Sequence, residues 1–157
     1  MRRNRLDALE ATLNETQLRQ KMVQAGKEQK AWIRSVNDRF QSGRPDLRLK
    51  VLGTPHLDVE LKICKLSHRA VLNDQFCKTG LRKLQVIELR DMNAAGIPAV
   101  GALYWPERDI FTFSNYENFQ AGEALRGDTV PGNGGKPDLS LFASKAYRWL
   151  LEEGNHY

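Results

Sequence analysis

The chain has little sulfur or imidazole chemistry to offer. It holds two cysteines, Cys64 and Cys77, and three histidines, His56, His68 and His156, scattered over 157 residues. No Cys-x-x-Cys pair is present, and a structural zinc site takes four closely spaced ligands, so none is expected. Without a disulfide framework the sequence predicts a reduced, cytosolic compartment. Long apolar runs are missing as well. None approaches the ~20 residues of a membrane span, so no membrane partner is expected. Arg2-Arg3-Asn4-Arg5 is basic, but no apolar core follows it, and export is not expected. The glycine-rich stretch from Gly127 to Pro137 has no Gly-Lys-Ser/Thr after it, which excludes a phosphate-binding P-loop. There is no internal repeat, and no Ser-His-Asp or Cys-His order suggesting acyl chemistry. Acid is scarce relative to base. The 24 Lys and Arg against 19 Asp and Glu leave a formal charge of +5, which favours a polyanionic partner. With sulfur and imidazole set aside, a metal used here is a carboxylate-bound Mg²⁺ or Mn²⁺.

What is present suits one domain. A chain of 157 residues, 41% apolar and 27% charged, can bury one real core and is too short for two ordinary domains. Its organising stretch is Gly43-Arg44-Pro45-Asp46-Leu47 followed by Asp58-Val59-Glu60-Leu61-Lys62. Leu57, Val59, Leu61 and Ile63 alternate with Asp58, Glu60 and Lys62, the period of a half-buried strand. Glu60 and Lys62 therefore share the polar face, about 7 Å apart. Leu47, Leu49 and Val51 alternate with Arg48 and Lys50 before it, and Gly53-Thr54-Pro55 marks a turn between the runs. The two runs make a hairpin. Asp46 opens its first strand and Glu60 lies late in its second, so antiparallel pairing brings the two carboxylates together. Hydrolysis of a phosphodiester takes a divalent cation on hard oxygen ligands, a bound water made nucleophilic, and a positive group near the phosphate. Asp46, Glu60 and Lys62 are the residue types that supply these.

The pattern resembles the PD-(D/E)xK nuclease superfamily, and within it the VRR-NUC and small phage or archaeal Holliday-junction-resolvase type. Pro45-Asp46 and Glu60-Leu61-Lys62 match its two motifs, and Ser42-Gly43 matches the resolvase version. The Leu81-Arg82-Lys83-Leu84-Gln85 run, then Ala95-Gly96, then Ala99 to Tyr104 match the Leu-x-x-Leu-Gln helix and following strand of VRR-NUC members. The resemblance spans residues 28–113, although the segment from Cys64 to Gly80 is long for that family. It implies that Asp46, Glu60 and the carbonyl of Leu61 hold Mg²⁺ or Mn²⁺, that Lys62 orients the attacking water, and that Gln85 shapes the site. A first-helix glutamate approaches the metal in many members. Glu28 is the candidate by position, ahead of Glu10 and Glu15. The family also implies DNA as the partner and a homodimer that cuts two strands symmetrically.

The rest of the chain completes an α/β domain, a restriction-endonuclease-like mixed central sheet flanked by helices. Leu6, Leu9 and Leu13 stand at helical spacing, continued by Leu18 and Met22, with Gly26 as an interruption. Trp32, Val36 and Phe40 recur every four residues and predict a second helix stopping at Ser42-Gly43. The expected layout is N-terminal helices over 5–41, a nuclease core over 42–115, a Gly/Pro-rich loop over 127–137 and a C-terminal helix over 139–153. Within the core, Leu81, Leu84, Ile87 and Met92 predict a helix capped by Gly96, and Ala99 to Trp105 and Ile110 to Phe113 predict strands. Tyr104, Trp105, Phe111 and Phe113 are read as core rather than as base-stacking groups. The basic stretch from Ile63 to Gly80 reads as a loop or short helix over the site, with His68 a poor general base. Asp58 shares the polar face with Glu60. The second Pro-Asp, Pro137-Asp138, has no Glu-x-Lys after it, and Asp138 is read as a helix N-cap.

These readings converge on a Mg²⁺-dependent DNA endonuclease selective for branched or junction DNA, because the short chain carries no evident recognition domain. The rival is a non-catalytic nucleic-acid-binding protein on the same fold. A third reading is a small basic protein whose motif is accidental.

Overall fold

A computed structural model of the chain describes residues 13–36, 45–65, 76–120 and 129–152. Outside them lie the basic Arg2 to Arg5, the leucines Leu6 and Leu9, Glu10, Phe40, Ser42-Gly43, His68 and Gly127. The described chain runs α1 (Glu15–Glu28), β1 (Trp32–Ser35), β2 (Leu47–Lys50), β3 (Leu57–Ile63), β4 (Phe76–Lys78), α2 (Lys83–Ala94), β5 (Ala99–Trp105), β6 (Ile110–Phe113), β7 (Asn118–Gln120), β8 (Val130–Pro131), a 3₁₀ turn (Asn133–Gly135) and α3 (Leu139–Glu152). Six strands form a mixed sheet in the order β1-β2-β3-β5-β6-β8, flanked by helices. The pair β3/β5 is parallel and every other pair in it is antiparallel. No described helix is long and apolar enough to cross a membrane.

Strand alternation sorts the two faces. Leu57, Val59 and Leu61 of β3 and Val100, Ala102 and Tyr104 of β5 join Leu18, Met22 and Ala25 of α1 and Leu139, Phe142 and Ala146 of α3 in the main core. Ala99, one residue out of phase, instead packs with Leu81, Val86 and Leu89, so α2 covers the opposite face. Asp58, Glu60 and Lys62 belong to that second face.

The predicted hairpin is present, with Leu47 opposite Val59, Arg48 opposite Asp58 and Leu49 opposite Leu57. The second helix predicted from Trp32, Val36 and Phe40 is not. Residues 32–35 are a strand, paired with β2 from Trp32↔Lys50 to Ser35↔Leu47. A spacing of four is close to one helical turn and is also twice the strand repeat, so it does not choose between them. Helix α1 begins at Asn14, whose side chain accepts from Gln17 N–H at 2.8 Å while Gln17 accepts from Asn14 N–H at 2.8 Å. It ends before Lys30, whose φ of 57° turns the chain back. Gly26 does not interrupt this helix; it is the point where Ile33 of β1 presses on it.

Two further expectations change. Leu84 and Ile87 do not form the buried face of α2: they are 59% and 38% exposed, while Gln85, Val86 and Leu89 are buried. The stretch read as a loop up to Pro137 contains β8, paired with β6, and the 3₁₀ turn. A two-stranded ribbon, β4 with β7, was not anticipated at all. Asp138 does act at the N-terminus of α3, accepting from Leu141 N–H at 3.2 Å.

Gly101 sits where three elements meet. It lies opposite Glu60 in the parallel register, and a Cβ there would stand 2.2 Å from the carbonyl oxygen of Ser114 and 3.0 Å from Leu81. The first obstacle is backbone, so it cannot rotate away. Gly101→Ala is expected to lower stability by about 1–3 kcal/mol through overpacking. Gly96→Ala, where φ is 83° but nothing lies within 4 Å, should cost only about 1 kcal/mol. Urea midpoints of the two variants check the order.

Candidate active site

The β2–β3 register carries the site. Continued one step beyond Leu47↔Val59, it sets Asp46 directly opposite Glu60. Opposite residues of an antiparallel pair point to the same face with Cβ atoms about 5 Å apart. One step further, Pro45 faces Leu61. A proline has no N–H, so it offers none to the Leu61 carbonyl, and the ladder stops there. The Leu61 N–H donates to the Asp46 side chain, at Oδ2, over 3.0 Å. The two backbone groups of one strand residue project to the same edge, so the Leu61 carbonyl emerges on the Asp46 side.

Other elements close around this pair. From α2, Gln85 Nε2 donates to Glu60 Oε1 at 2.6 Å, and Gln85 Oε1 accepts from Arg82 N–H at 2.9 Å. The amide is thereby held at both ends. Lys62, two residues along the same face, places Nζ 3.6 Å from Glu60 Oε1 and 3.8 Å from Glu15 Oε2. A Cβ on Gly80, where φ is 90°, would stand 3.5 Å from Lys62 Cδ, so the chain leaving the small ribbon passes over the Lys62 stem. From α1, Arg19 donates to Asp46 Oδ1 at 3.3 Å.

Glu60 is only 2% exposed, and its Oε2 is buried with no hydrogen-bond partner. Burial pushes its pKa up from the ordinary 4.5 to about 8, Asp46 adds to the shift by charge and by hydrogen bonding, Glu15 adds less, and Lys62 opposes it. The unpartnered oxygen and the hydrogen bond to Asp46 describe two protonation states. With both carboxyls ionised there is no proton between them; with one proton the two can share it.

Asp46, Glu60, Leu61, Lys62 and Gln85 thus come together. Glu28 does not. It lies 13 residues beyond Glu15 on the same helix, about 20 Å along the axis, where it pairs with Lys136 at 2.9 Å. Beside it, Gln29 donates to the Pro137 carbonyl and accepts from Leu139 N–H, both at 2.8 Å, so this end of α1 anchors α3. Glu15 is the α1 acid that reaches the cluster. Arg19 was not singled out from the sequence; the i, i+4 spacing of Glu15 and Arg19 on a helix N-terminal to the motif was the signal. Asp58 is taken up by Arg48 at 2.9 Å.

The donor set suits a small hard cation. Among the described residues no three of His, Cys, Asp and Glu converge on one point. Two carboxylates and a backbone oxygen are the ligands present, with Glu60 Oε2 lacking any partner. Mg²⁺ is commonly held by one or two carboxylates and keeps several waters, so the set fits it.

No family model and no curated protein matches the sequence. The chain is similar to a solved Holliday junction resolvase, Hjc of Archaeoglobus fulgidus. The similarity runs at 19% identity and a TM-score of 0.45, over 66% of this chain and 84% of that one. At that level it says nothing of what this chain acts on.

The acid pair has a pH signature. Between pH 4.5 and about 8 the folded chain holds a proton on Glu60 that the unfolded chain has released. That contribution to stability is complete below 4.5 and is lost as pH rises through 8. Glu60→Gln puts an amide N–H where the shared proton sits. In EDTA the variant is expected to gain on the order of a few kcal/mol over the parent at pH 9, and little at pH 5. Urea unfolding at both pH values checks it; an equal gain at both would contradict the account.

Proposed function

We propose that this chain is a Mg²⁺- or Mn²⁺-dependent endonuclease that hydrolyses phosphodiester bonds in DNA. The observation that carries the reading is that Asp46 bonds the Leu61 N–H next to Glu60, with Lys62 beside Glu60 and a buried Glu60 oxygen left unpartnered. Two acids forced together in a dry site cost stability, and such groups concentrate where chemistry is done.

In this reading Asp46, Glu60 and the Leu61 carbonyl hold the cation. When bound, it would lower the pKa of a coordinated water and polarise the scissile phosphate. Lys62 keeps an ammonium group beside the reacting centre, where it orients the water and stabilises negative charge building on the phosphate. Gln85 fixes the Glu60 carboxyl through Oε1 and leaves Oε2 free to bind a cation. Glu15 steadies Lys62 from the helix side. Arg19 supplies positive charge next to Asp46 and is placed to meet an incoming phosphate. The remaining basic surface binds backbone without reading bases. Selectivity for branched DNA and pairing of two copies, each cutting one strand, complete the proposal and rest on the motif resemblance.

The test uses linear, flap and four-way-junction DNA with the purified chain, in Mg²⁺ and in EDTA. Cleavage is expected in Mg²⁺ only, strongest on the branched substrates. Asp46→Ala should reduce it by more than about 10²-fold while DNA binding is kept. Binding without cleavage by the parent chain would identify a non-catalytic DNA-binding protein on this fold.

Gln85 gives a second prediction. Gln85→Ala removes the donor to Glu60 Oε1 without touching a cation ligand. It is expected to raise the Mg²⁺ concentration for half-maximal cleavage by about 10-fold or more, with less effect at saturating Mg²⁺. A Mg²⁺ titration of parent and variant checks it.

A further inference from the structure

A groove of about 660 Å³ runs along the solvent side of α1, and the proposed chemistry uses none of its described lining but Arg19. Its helix wall is built from Arg19, Gln20, Val23, Gln24 and Lys27, and Ser35 of β1 lines it from the strand side. The helix residues recur at three- and four-residue steps, which puts them on one face. The buried residues of α1, Leu18, Met22 and Ala25, lie on the other. Arg19 and Lys27 are eight residues apart, about 12 Å along the axis. The wall therefore carries a cation toward each end, amides between them, and Val23 with the aliphatic stems as floor. Among the described residues no acidic one lines it. Its Arg19 end is continuous with the acid pair, because the same guanidinium bonds Asp46.

We propose that this groove binds the sugar–phosphate backbone of a single DNA strand and leads it to Asp46 and Glu60. Charge complementarity and continuity with the acid pair argue for that occupant. A concave track with spaced cations and an apolar floor suits one flexible strand, whose phosphates reach the cations while its sugars lie on the aliphatic surface. A duplex presents a convex, stiff surface that bridges the groove rather than entering it. At the Arg19 end the guanidinium can pass from Asp46 to a phosphate, which frees the Asp46 oxygen as the strand arrives. The substrate class rests on the nuclease reading; the groove itself is tested without cleavage.

The experiment measures binding of a labelled single strand of roughly 16 nucleotides, and of the matching duplex, by fluorescence anisotropy in EDTA over a NaCl series. Lys27→Ala, remote from the acid pair, is expected to weaken single-strand binding and to flatten the slope of log affinity against log salt by about 0.7, the value for one lost phosphate contact. Ser35→Glu puts a negative charge on the opposite wall and should weaken the same binding. Gln24→Glu repeats that test from the helix side if the strand variant unfolds. Leu52→Ala, fully exposed at the closed end of the hairpin, should bind as the parent does. The proposal is overturned if the groove variants bind like the parent, if the parent does not bind a single strand, or if duplex binding suffers equally. Groove variants that lose binding in a chain that cleaves nothing would leave the groove standing and remove the nuclease reading. Cleavage with unaffected groove variants would do the reverse.

Discussion

A missing backbone N–H shapes this molecule's chemistry. Just before β2, Pro45 has no N–H to donate toward β3. The hairpin ladder ends at Leu47↔Val59. Beyond that end Asp46 and Glu60 are left side by side, and the Leu61 N–H donates to the Asp46 carboxylate. In an ordinary hairpin two like charges at opposed positions would be selected against, since they destabilise the pair. Here the neighbouring elements are arranged to tolerate them.

That tolerance comes from three directions. Gln85 donates to Glu60 from α2, Lys62 lies between Glu60 and Glu15, and Arg19 reaches Asp46 from α1. These contacts are incomplete by design of the geometry. One buried oxygen of Glu60 has no donor, and burial together with Asp46 holds its proton far above the usual carboxylate range. A small divalent cation would answer both needs, because it offers the missing partner and cancels the repulsion that raises the pKa. The same logic ties stability to function: the site is least comfortable above about pH 8 without a cation, and below that a proton would compete with a metal for the same oxygens.

Legibility followed the range of the interaction. The hairpin could be read because a period of two over seven residues, bounded by Gly53, leaves little choice of face or partner. Gln85 could be placed because a Leu-x-x-Leu-Gln helix precedes an apolar strand, although its burial in place of Leu84 could not. The first helix was harder. Trp32, Val36 and Phe40 fit strand and helix alike, so their spacing points to a helix where β1 stands, and Glu28, the candidate by position, closes α1 far from the site. Its partner Lys136 is 108 residues away, a distance over which local pattern carries no information. The ribbon of β4 and β7 is hidden for the same reason, since its strands are three residues each and pair across the whole α2–β5–β6 stretch.

The sequence by itself determined that a β-hairpin forms, that Glu60 and Lys62 share its polar face, and that an acid at position 46 meets them at the open end. These follow from alternation and turn chemistry, which act between near neighbours. Tertiary structure alone decided which acid of α1 joins them, that Arg19 bonds Asp46, and that a basic groove runs from there along the helix. Those outcomes depend on how α1 is rotated and slid against the sheet, and that is settled by the packing of Leu18, Met22 and Ala25 and by the fit of Ile33 against Gly26. Close packing selects one such placement from many that the helical period permits.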